Sequence, residues 1–382
     1  MQLRLGGARC GTIEGGHGIH PARAASLEGT DDEAQEGAKQ PGTSHSHEQQ
    51  TMRRWLNMIA ARQLVRRVAL DAGLHAAAGL ADLMPQMKRR MAGTRLIEDL
   101  EYACHGGHAL RLDILQPAGP GPHPVLVYLH GGAFAIGSKR THRALAAVYA
   151  SWGYLVCNVD YRLAPQHRFP AALEDACAAW SWAADHVAAY GGDSQRMALA
   201  GESAGANLAL SVLLACCTPR PEPFAARLFK RGVRPVAALL YCGFLQTSAP
   251  ARYRRNGVSA LAARVARDAA RSYLGASFDQ PGPGQALADP LCVVEAMQPP
   301  ATLPPLFIAA GLADPVTADS QRLEVALDRL RSPCSAHYYA GEVHAFHVMF
   351  WRANAIRCWR DSLGFLQEAL PLSLQPGPDL PS

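Results

Sequence analysis

The 382-residue sequence has no long apolar run, although hydrophobic residues make up 49% of it. No segment approaches the length of about 18 uncharged apolar residues that a membrane-spanning helix needs. The amino terminus also lacks the apolar stretch of a secretory signal peptide. We therefore expect a cytoplasmic protein without stable membrane insertion.

Metal and disulfide motifs are missing as well. The chain has 10 cysteines, but no Cys-x-x-Cys pair and no Cys/His spacing of the zinc type. Cys157, Cys177 and Cys216 fall inside apolar segments, where free thiols pack as small hydrophobic groups. The sequence predicts a reduced protein that holds no metal and needs no cofactor.

The charge balance excludes another class of partner. Lysine and arginine number 37 against 32 acidic residues, for a net charge of +5. The basic residues are scattered and no nucleic-acid motif is present, so we expect no nucleic acid as a partner.

The two ends differ in composition from the middle of the chain. Residues 1–51 are rich in Gly, His, Ser and Gln and predict a disordered leader, and residues 371–382 predict a disordered tail. Residues 52–93 carry apolar residues at helical spacing. Both Met1 and Met52 remain open as the natural start.

The most informative segment is Gly201-Glu202-Ser203-Ala204-Gly205. The residues before it are apolar and strand-like, and those after it favour a helix. A Gly-x-Ser-x-Gly pentad between a strand and a helix is typical of a nucleophile elbow, a tight turn that exposes the serine hydroxyl. The pentad alone is a weak signal, and its neighbours in the sequence strengthen it.

One such neighbour is a glycine loop after an apolar run at residues 124–129. There His130-Gly131-Gly132 reads as a buried strand that opens into a loop with accessible amides. In acyl transfer the amides of Gly131 and Gly132, with that of Ala204, would bind the oxyanion. An ordinary Gly-Gly strand end is the alternative for this loop taken alone.

An acid and a base follow in the order that such hydrolases use. Asp314 follows the strand-like residues 304–310, and His344 follows residues 335–340. Both lie just past the carboxyl ends of predicted strands, the edge where open α/β sheets place their chemistry. His337 lies inside a strand and is the weaker candidate base. Glu342 is a rival to Asp314, but no separate loop aims it.

With these residues the chain resembles the bacterial hormone-sensitive-lipase-like esterases of the α/β-hydrolase superfamily. The similarity runs from about residue 96 to 370. It also includes the run Asp160-Tyr161-Arg162-Leu163-Ala164-Pro165, while Ala133 and Glu202 depart from the commoner glycine and aspartate. The resemblance implies an α/β fold with a mostly parallel eight-stranded sheet, helices on both faces and a helical cap. It implies a catalytic domain at 94–370, a cap insertion at about 247–285 and further cap helices at 52–93.

These features together predict a serine-dependent carboxylic ester hydrolase that acts through an acyl-enzyme on short- to medium-chain acyl esters. Ser203 is the predicted nucleophile, His344 the base and Asp314 the carboxylate that orients it. The partner is a small-molecule ester, and a homodimer is left open. An amide, formamide or lactone hydrolase with the same triad, and a small-ligand receptor without turnover, remain alternatives. For Asp160, Arg162, Glu174 and Asp175 we expect structural roles.

Overall fold

The computed structural model describes residues 65–372 apart from 66, 77, 81, 82, 84, 256–258, 280, 281, 283, 300 and 302. The predicted leader, residues 52–64 of the predicted cap helices and residues 373–382 of the predicted tail lie outside the described residues. By its contacts the chain divides into Met1–Val68 and Ala69–Ser382. The sheet and the candidate site lie in the second unit.

This unit is built on one eight-stranded sheet with the order β1-β2-β4-β3-β5-β6-β7-β8. The strands are β1 (Thr94–His105), β2 (His108–Pro117), β3 (His123–Leu129), β4 (Leu155–Val159), β5 (Gly192–Glu202), β6 (Ala238–Tyr241), β7 (Leu306–Gly311) and β8 (Cys334–Tyr339). Strand β2 pairs antiparallel with β1 and β4, and every other neighbouring pair is parallel. The predicted mostly parallel eight-stranded sheet is confirmed.

Helices fill most of the connections between strands. They are α1 (Pro85–Ala92), α2 (Arg143–Ser151), α3 (Ala171–His186), α4 (Ala204–Cys217), α5 (Pro223–Arg231), α6 (Arg252–Arg255), α7 (Ala260–Leu274), α8 (Pro290–Ala296), α9 (Thr317–Arg329) and α10 (Ala353–Ala369). Residues 69–76 and 78–80 are also helical. Among the described residues, no helix combines the length and the apolarity needed to cross a bilayer.

Strand β3 shows why helices cover both faces of the sheet. All its residues are buried, as is usual for the central strands of a parallel sheet. Because side chains alternate along a strand, Val125 and Val127 join one apolar core, and Leu126 and Tyr128 join another. The first core is closed by α3, α4 and α9, and the second by α2 and α10. The predicted two-sided packing is confirmed.

Gly205, in the first turn of α4, allows that helix to lie against the end of β3. A Cβ on Gly205 would come 2.0 Å from the carbonyl oxygen of Leu129 and 2.6 Å from that of His130, contacts that real Cβ atoms do not make. Both obstacles are backbone atoms and cannot rotate aside. The close packing of α4 on the end of β3 therefore depends on glycine at this position.

We predict that Gly205→Ala lowers the free energy of unfolding by about 1–3 kcal/mol or more, since overpacking must displace backbone. Gly364→Ala is the matched control, because Gly364 is also helical and a Cβ there meets nothing within 4 Å. The control should stabilise by about 0.5–1 kcal/mol through its helix propensity. Urea unfolding measures both, and equal effects of the two substitutions would contradict the packing described.

Candidate active site

Ser203 occupies a sharp turn between β5 and α4. Its backbone has φ 52° and ψ −113°, in the left-handed region that residues with a Cβ rarely adopt. The turn is held by its amide, which donates to the carbonyl of Tyr241 at 2.8 Å. A Cβ on Gly201 would lie 2.4 Å from the carbonyl oxygen of Gly205, so the pentad needs its first glycine as well. This strain at a half-buried serine is the geometry of a nucleophile elbow.

The structure brings Ser203, His344 and Asp314 together. The Nε2 atom of His344 lies 3.0 Å from the Oγ atom of Ser203, and its Nδ1 atom lies 2.9 Å from Oδ2 of Asp314. Because a carboxylate only accepts, Nδ1 carries the proton and Nε2 is free to accept one from the serine. Asp314 is buried, and its Oδ1 atom accepts a hydrogen bond from the amide of Val316.

The surroundings of His344 favour its protonated form. Partial desolvation of the imidazole, whose side chain is 38% exposed, opposes protonation, but the hydrogen bond and the negative charge of Asp314, with a further contribution from Glu202, outweigh it. The pKa of His344 therefore lies above its ordinary value of 6.5. An imidazolium formed during proton transfer would be stabilised in the same way.

The rival carboxylate, Glu342, is engaged elsewhere. Its side chain pairs with Arg352 at 2.9 Å and accepts from the side-chain Nδ2 atom of Asn354 at 3.0 Å. Its backbone carbonyl accepts from the amide of Ala313, which joins the loop after β8 to the loop of Asp314. Glu342 thus helps to hold the two loops together, while the carboxylate that contacts His344 is Asp314.

Gly131 and Gly132 form the loop after β3, beside Ser203. The carbonyl of Gly132 accepts from the amides of Ala135 and Ile136, which closes a tight turn. Gly132 has φ 115°, and a Cβ there would meet the carbonyl oxygen of Ile136 at 2.0 Å. Within the described part of the chain, no backbone carbonyl accepts a hydrogen bond from the amide of Gly131 or of Gly132. The amide of Ala204 stands at the start of α4, where helix amides have no partner within the helix and the dipole favours negative charge.

The far end of this loop is anchored by a buried ion pair. Lys139 donates from its Nζ atom to Asp113 at 2.5 Å, and its amide donates to Asp160 at 2.6 Å. Burial opposes the charge on Lys139, but the carboxylates of Asp113 and Asp99 outweigh it and raise its pKa. The loop is therefore fixed to β2 and to the end of β4.

His130, the first residue of the same loop, packs its ring against Tyr161 beneath the loop. Its ring stacks on that of Tyr161 with centroids 4.2 Å apart, and the Tyr161 hydroxyl donates to the His130 carbonyl. Burial, with the neighbouring His142, lowers the pKa of His130 to about 3. The imidazole is therefore neutral at physiological pH, and besides packing on Tyr161 it donates from Nδ1 to the carbonyl of Gly131 at 2.7 Å.

The charged residues for which structural roles were expected make structural contacts. Of the pair Asp160 and Arg162, only Asp160 contacts the segment that follows the glycine loop. Asp160 accepts from the amide of Lys139, whereas Arg162 binds the buried carboxylate of Asp175 through two nitrogen atoms and also contacts Glu174. The Arg162 contacts join the segment after β4 to α3.

Cys242 is a buried thiol that lies beside Asp314 and His344. Among the described residues, Cys242, Asp314 and His344 form the one group of metal-type donors, with donor atoms within 4.8 Å of one another. Asp314 and His344 are hydrogen-bonded to each other, and burial with nearby negative charge raises the pKa of Cys242 well above its ordinary value. Because Asp314 orients His344 toward Ser203 and the Cys242 thiol stays protonated, these groups favour proton transfer from Ser203 to His344 over metal binding.

Two further sets of contacts near the site escaped prediction. Glu202, beside Ser203, bridges His142 and His347. Asp71, in the helical segment 69–76, accepts from the amide of Gly137 at 2.9 Å and so contacts the glycine loop. For the contacts of Glu202, the sequence offers only the three-residue spacing between His344 and His347. For the contact of Asp71 with Gly137 it offers no pattern, because a single aspartate in a helical segment does not indicate its partner.

A cavity of about 450 Å³ lies elsewhere in the unit, lined by residues that include Arg220, Asp289 and Cys292. None of the triad residues lines it. The groups with the geometry for nucleophilic chemistry are therefore at the carboxyl edge of the sheet, outside this cavity.

Comparison with known proteins agrees with the geometry. A sequence model of the family described as alpha/beta hydrolase fold matches residues 126–348. The acetyl esterase of Salmonella schwarzengrund (strain CVM19633) is 30% identical over 230 residues, which cover 59% of this chain and 66% of that protein. The chain thus spans slightly less than two thirds of the curated relatives that it matches.

Solved structures show the same fold. The esterase LipW from Mycobacterium marinum is 25% identical with a TM-score of 0.65, over 80% of this chain and 89% of that one. The hyperthermophilic esterase from Pyrobaculum calidifontis is 23% identical with a TM-score of 0.63, over 82% and 97%. The predicted resemblance is confirmed, and the chain belongs to the α/β-hydrolase fold family, in its hormone-sensitive-lipase-like esterase branch.

Proposed function

We propose that this protein is a serine-dependent carboxylic ester hydrolase that forms an acyl-enzyme. The observation that carries the proposal is the continuous hydrogen-bonded chain from Ser203 Oγ through His344 to Asp314, with distances of 3.0 Å and 2.9 Å. A serine hydroxyl is a weak nucleophile unless a neighbouring base removes its proton. The esterases among its relatives support the same chemistry.

Acylation begins with the attack of Ser203 on the ester and ends with the release of the alcohol. As Ser203 Oγ attacks the ester carbonyl carbon, its proton moves to Nε2 of His344, and the carbonyl π electrons move to oxygen. The amides of Gly131, Gly132 and Ala204 donate to that oxyanion. When the tetrahedral intermediate collapses, the C–O bond to the leaving alkoxide breaks, and the alkoxide takes the proton from His344 and leaves as an alcohol.

Deacylation repeats these steps with water. His344 removes a proton from a water molecule, whose oxygen attacks the acyl carbon of the Ser203 ester. The second intermediate collapses by breaking its bond to Ser203 Oγ, which recovers the proton from His344. Throughout, Asp314 accepts from Nδ1 and stabilises the imidazolium, so that no cofactor is needed for the cycle.

We also propose that the insertion at about 247–285 caps the site, together with residues 69–93, the part of the predicted cap helices that belongs to the second unit. Tyr273 of α7 stacks on Phe134 of the glycine loop with ring centroids 3.7 Å apart, and its carbonyl accepts from the amide of Phe169. These contacts hold α7 against the glycine loop, and a cap in this place supports the proposal of a short- to medium-chain acyl group. The predicted cytoplasmic location stays a proposal, and the homodimer stays open.

The pH dependence should report His344. The base must be neutral, so kcat/KM should fall as the pH drops through the raised pKa of His344, with a midpoint above 6.5. Asp314→Asn removes the negative charge that most raises the pKa of His344, so the midpoint of this variant should lie below that of the parent. Its kcat should fall by about 10³–10⁴-fold. Glu342→Gln is the control and should leave the midpoint unchanged. A shift with Glu342→Gln instead would assign the orienting role to Glu342.

The substrate class is tested with p-nitrophenyl esters of increasing acyl length, beside matched amides and lactones. Each methylene that fits the pocket contributes about 0.8 kcal/mol, so kcat/KM should rise and then fall once the chain meets the wall. We expect the best esters at roughly four to eight acyl carbons. Ser203→Ala, run in parallel, should lose nearly all turnover. Faster cleavage of amides or lactones than of any ester, or turnover that survives in Ser203→Ala, would contradict the proposed function.

A further inference from the structure

Glu202 is a buried carboxylate that the mechanism above does not use. It is the last residue of β5, directly before Ser203, and only 3% of it is exposed. Its Oε1 atom lies 2.6 Å from Nε2 of His142, and its Oε2 atom lies 2.7 Å from Nε2 of His347. Both imidazoles donate, since a carboxylate only accepts. A buried charge is costly, and two charge-assisted hydrogen bonds on one carboxylate offset that cost.

The two histidines belong to the two loops that flank Ser203. His142 stands at the start of α2, just after the glycine loop, and its ring is 5.3 Å from the ring of His130. His347 follows the base by three residues, and its carbonyl accepts from the indole of Trp359. Glu202 therefore connects the segment that carries Gly131 with the segment that carries His344.

The side chain of Glu202 also lies against the backbone of the glycine loop. A Cβ placed on Gly131 would be 3.0 Å from Cγ and 3.2 Å from Oε1 of Glu202. The loop also folds back on itself here, since a Cβ on Gly137 would lie 2.9 Å from the carbonyl oxygen of Gly131. The backbone at Gly131 thus lies against both the side chain of Glu202 and Gly137.

We propose that Glu202, through His142 and His347, is a positioning residue for ester cleavage: it holds the oxyanion amides of Gly131 and Gly132 in register with the base His344. The proposal rests on the proposed function and adds to it a residue that acts through others. Two effects follow. The amides are held where the oxyanion forms, and a fixed negative charge is kept near the imidazole of His344.

The charge of Glu202 is stable over the pH range of interest. Burial opposes ionisation, but the charge and hydrogen bonds of His142 and His347 hold the pKa of Glu202 well below its usual range. Other titratable groups around it are Tyr128, Tyr161, Tyr241 and Cys242, whose pKa values burial raises, and His130, whose pKa burial lowers to about 3. They are neutral near pH 7. The groups that face His344 are Asp314, Ser203 and Cys242, and Glu202 adds a negative charge that raises its pKa further.

The test compares Glu202→Gln and Glu202→Asp with the parent, using p-nitrophenyl acetate across pH and a trifluoromethyl ketone that forms a tetrahedral adduct. Glu202→Gln keeps the shape and loses the charge. It should lower kcat by roughly 10- to 100-fold, below the loss of a whole oxyanion donor, with KM changed by about twofold at most. Binding of the ketone should weaken in parallel with kcat/KM, and the midpoint of the acid limb should fall.

Glu202→Asp separates position from charge and remains informative if the glutamine variant fails to fold. It keeps the carboxylate but is shorter by one methylene, so it cannot reach both imidazoles and Gly131 as Glu202 does. We expect a lower kcat with the midpoint of the parent. Glu222→Gln is the matched control, since Glu222 is also a buried glutamate, 5% exposed and 3.6 Å from Arg220, outside the site. It should leave kcat, midpoint and ketone affinity unchanged.

A parent protein that cleaves the ester while Glu202→Gln retains its kcat, midpoint and ketone affinity would overturn the positioning role and leave the proposed function intact. Lower kcat and lower thermal stability with an unchanged midpoint and unchanged ketone affinity would also overturn it, because a merely structural residue behaves in that way. A parent protein that cleaves no ester would overturn both proposals.

Discussion

The backbone of α4 touches the carbonyl of Leu129 at the end of β3, and the geometry of the site depends on this contact. The contact requires glycine at position 205 and is made beside the strained turn of Ser203. Because Leu129 directly precedes His130 and the glycine loop, it also brings that loop to the serine. Parallel pairing of β5, β6, β7 and β8 then sets the loops of Asp314 and His344 at the same edge.

Much of the fold could be read from the sequence, because central strands of a parallel sheet are continuous apolar runs. The runs that end before His130, Ser203, Asp314 and His344 correspond to β3, β5, β7 and β8. Position within these runs also separated the two candidate histidines. His337 lies inside β8, whereas His344 lies beyond it, within hydrogen-bonding distance of Ser203.

The supporting contacts could not be read in the same way, because they join distant residues that share no local pattern. Glu202 meets His142 and His347, and Lys139 meets Asp113 only once four different segments have packed together. A buried carboxylate looks in sequence like any other glutamate. What distinguishes Glu202 is its lack of exposure and the two imidazoles on its oxygens, and both are products of the fold.

The central claim is that Ser203 carries the acyl group between two steps, and rapid-mixing kinetics with p-nitrophenyl acetate tests it most directly. The account predicts a burst of p-nitrophenol of up to one equivalent per chain when deacylation is the slower step, with an added acetyl group that mass spectrometry of acid-quenched protein locates on Ser203. The acid quench protonates His344 and so stops deacylation, which preserves any acetyl group that Ser203 already carries. Steady hydrolysis without acetylated Ser203 under these conditions, or acetylation at another residue, would contradict the account.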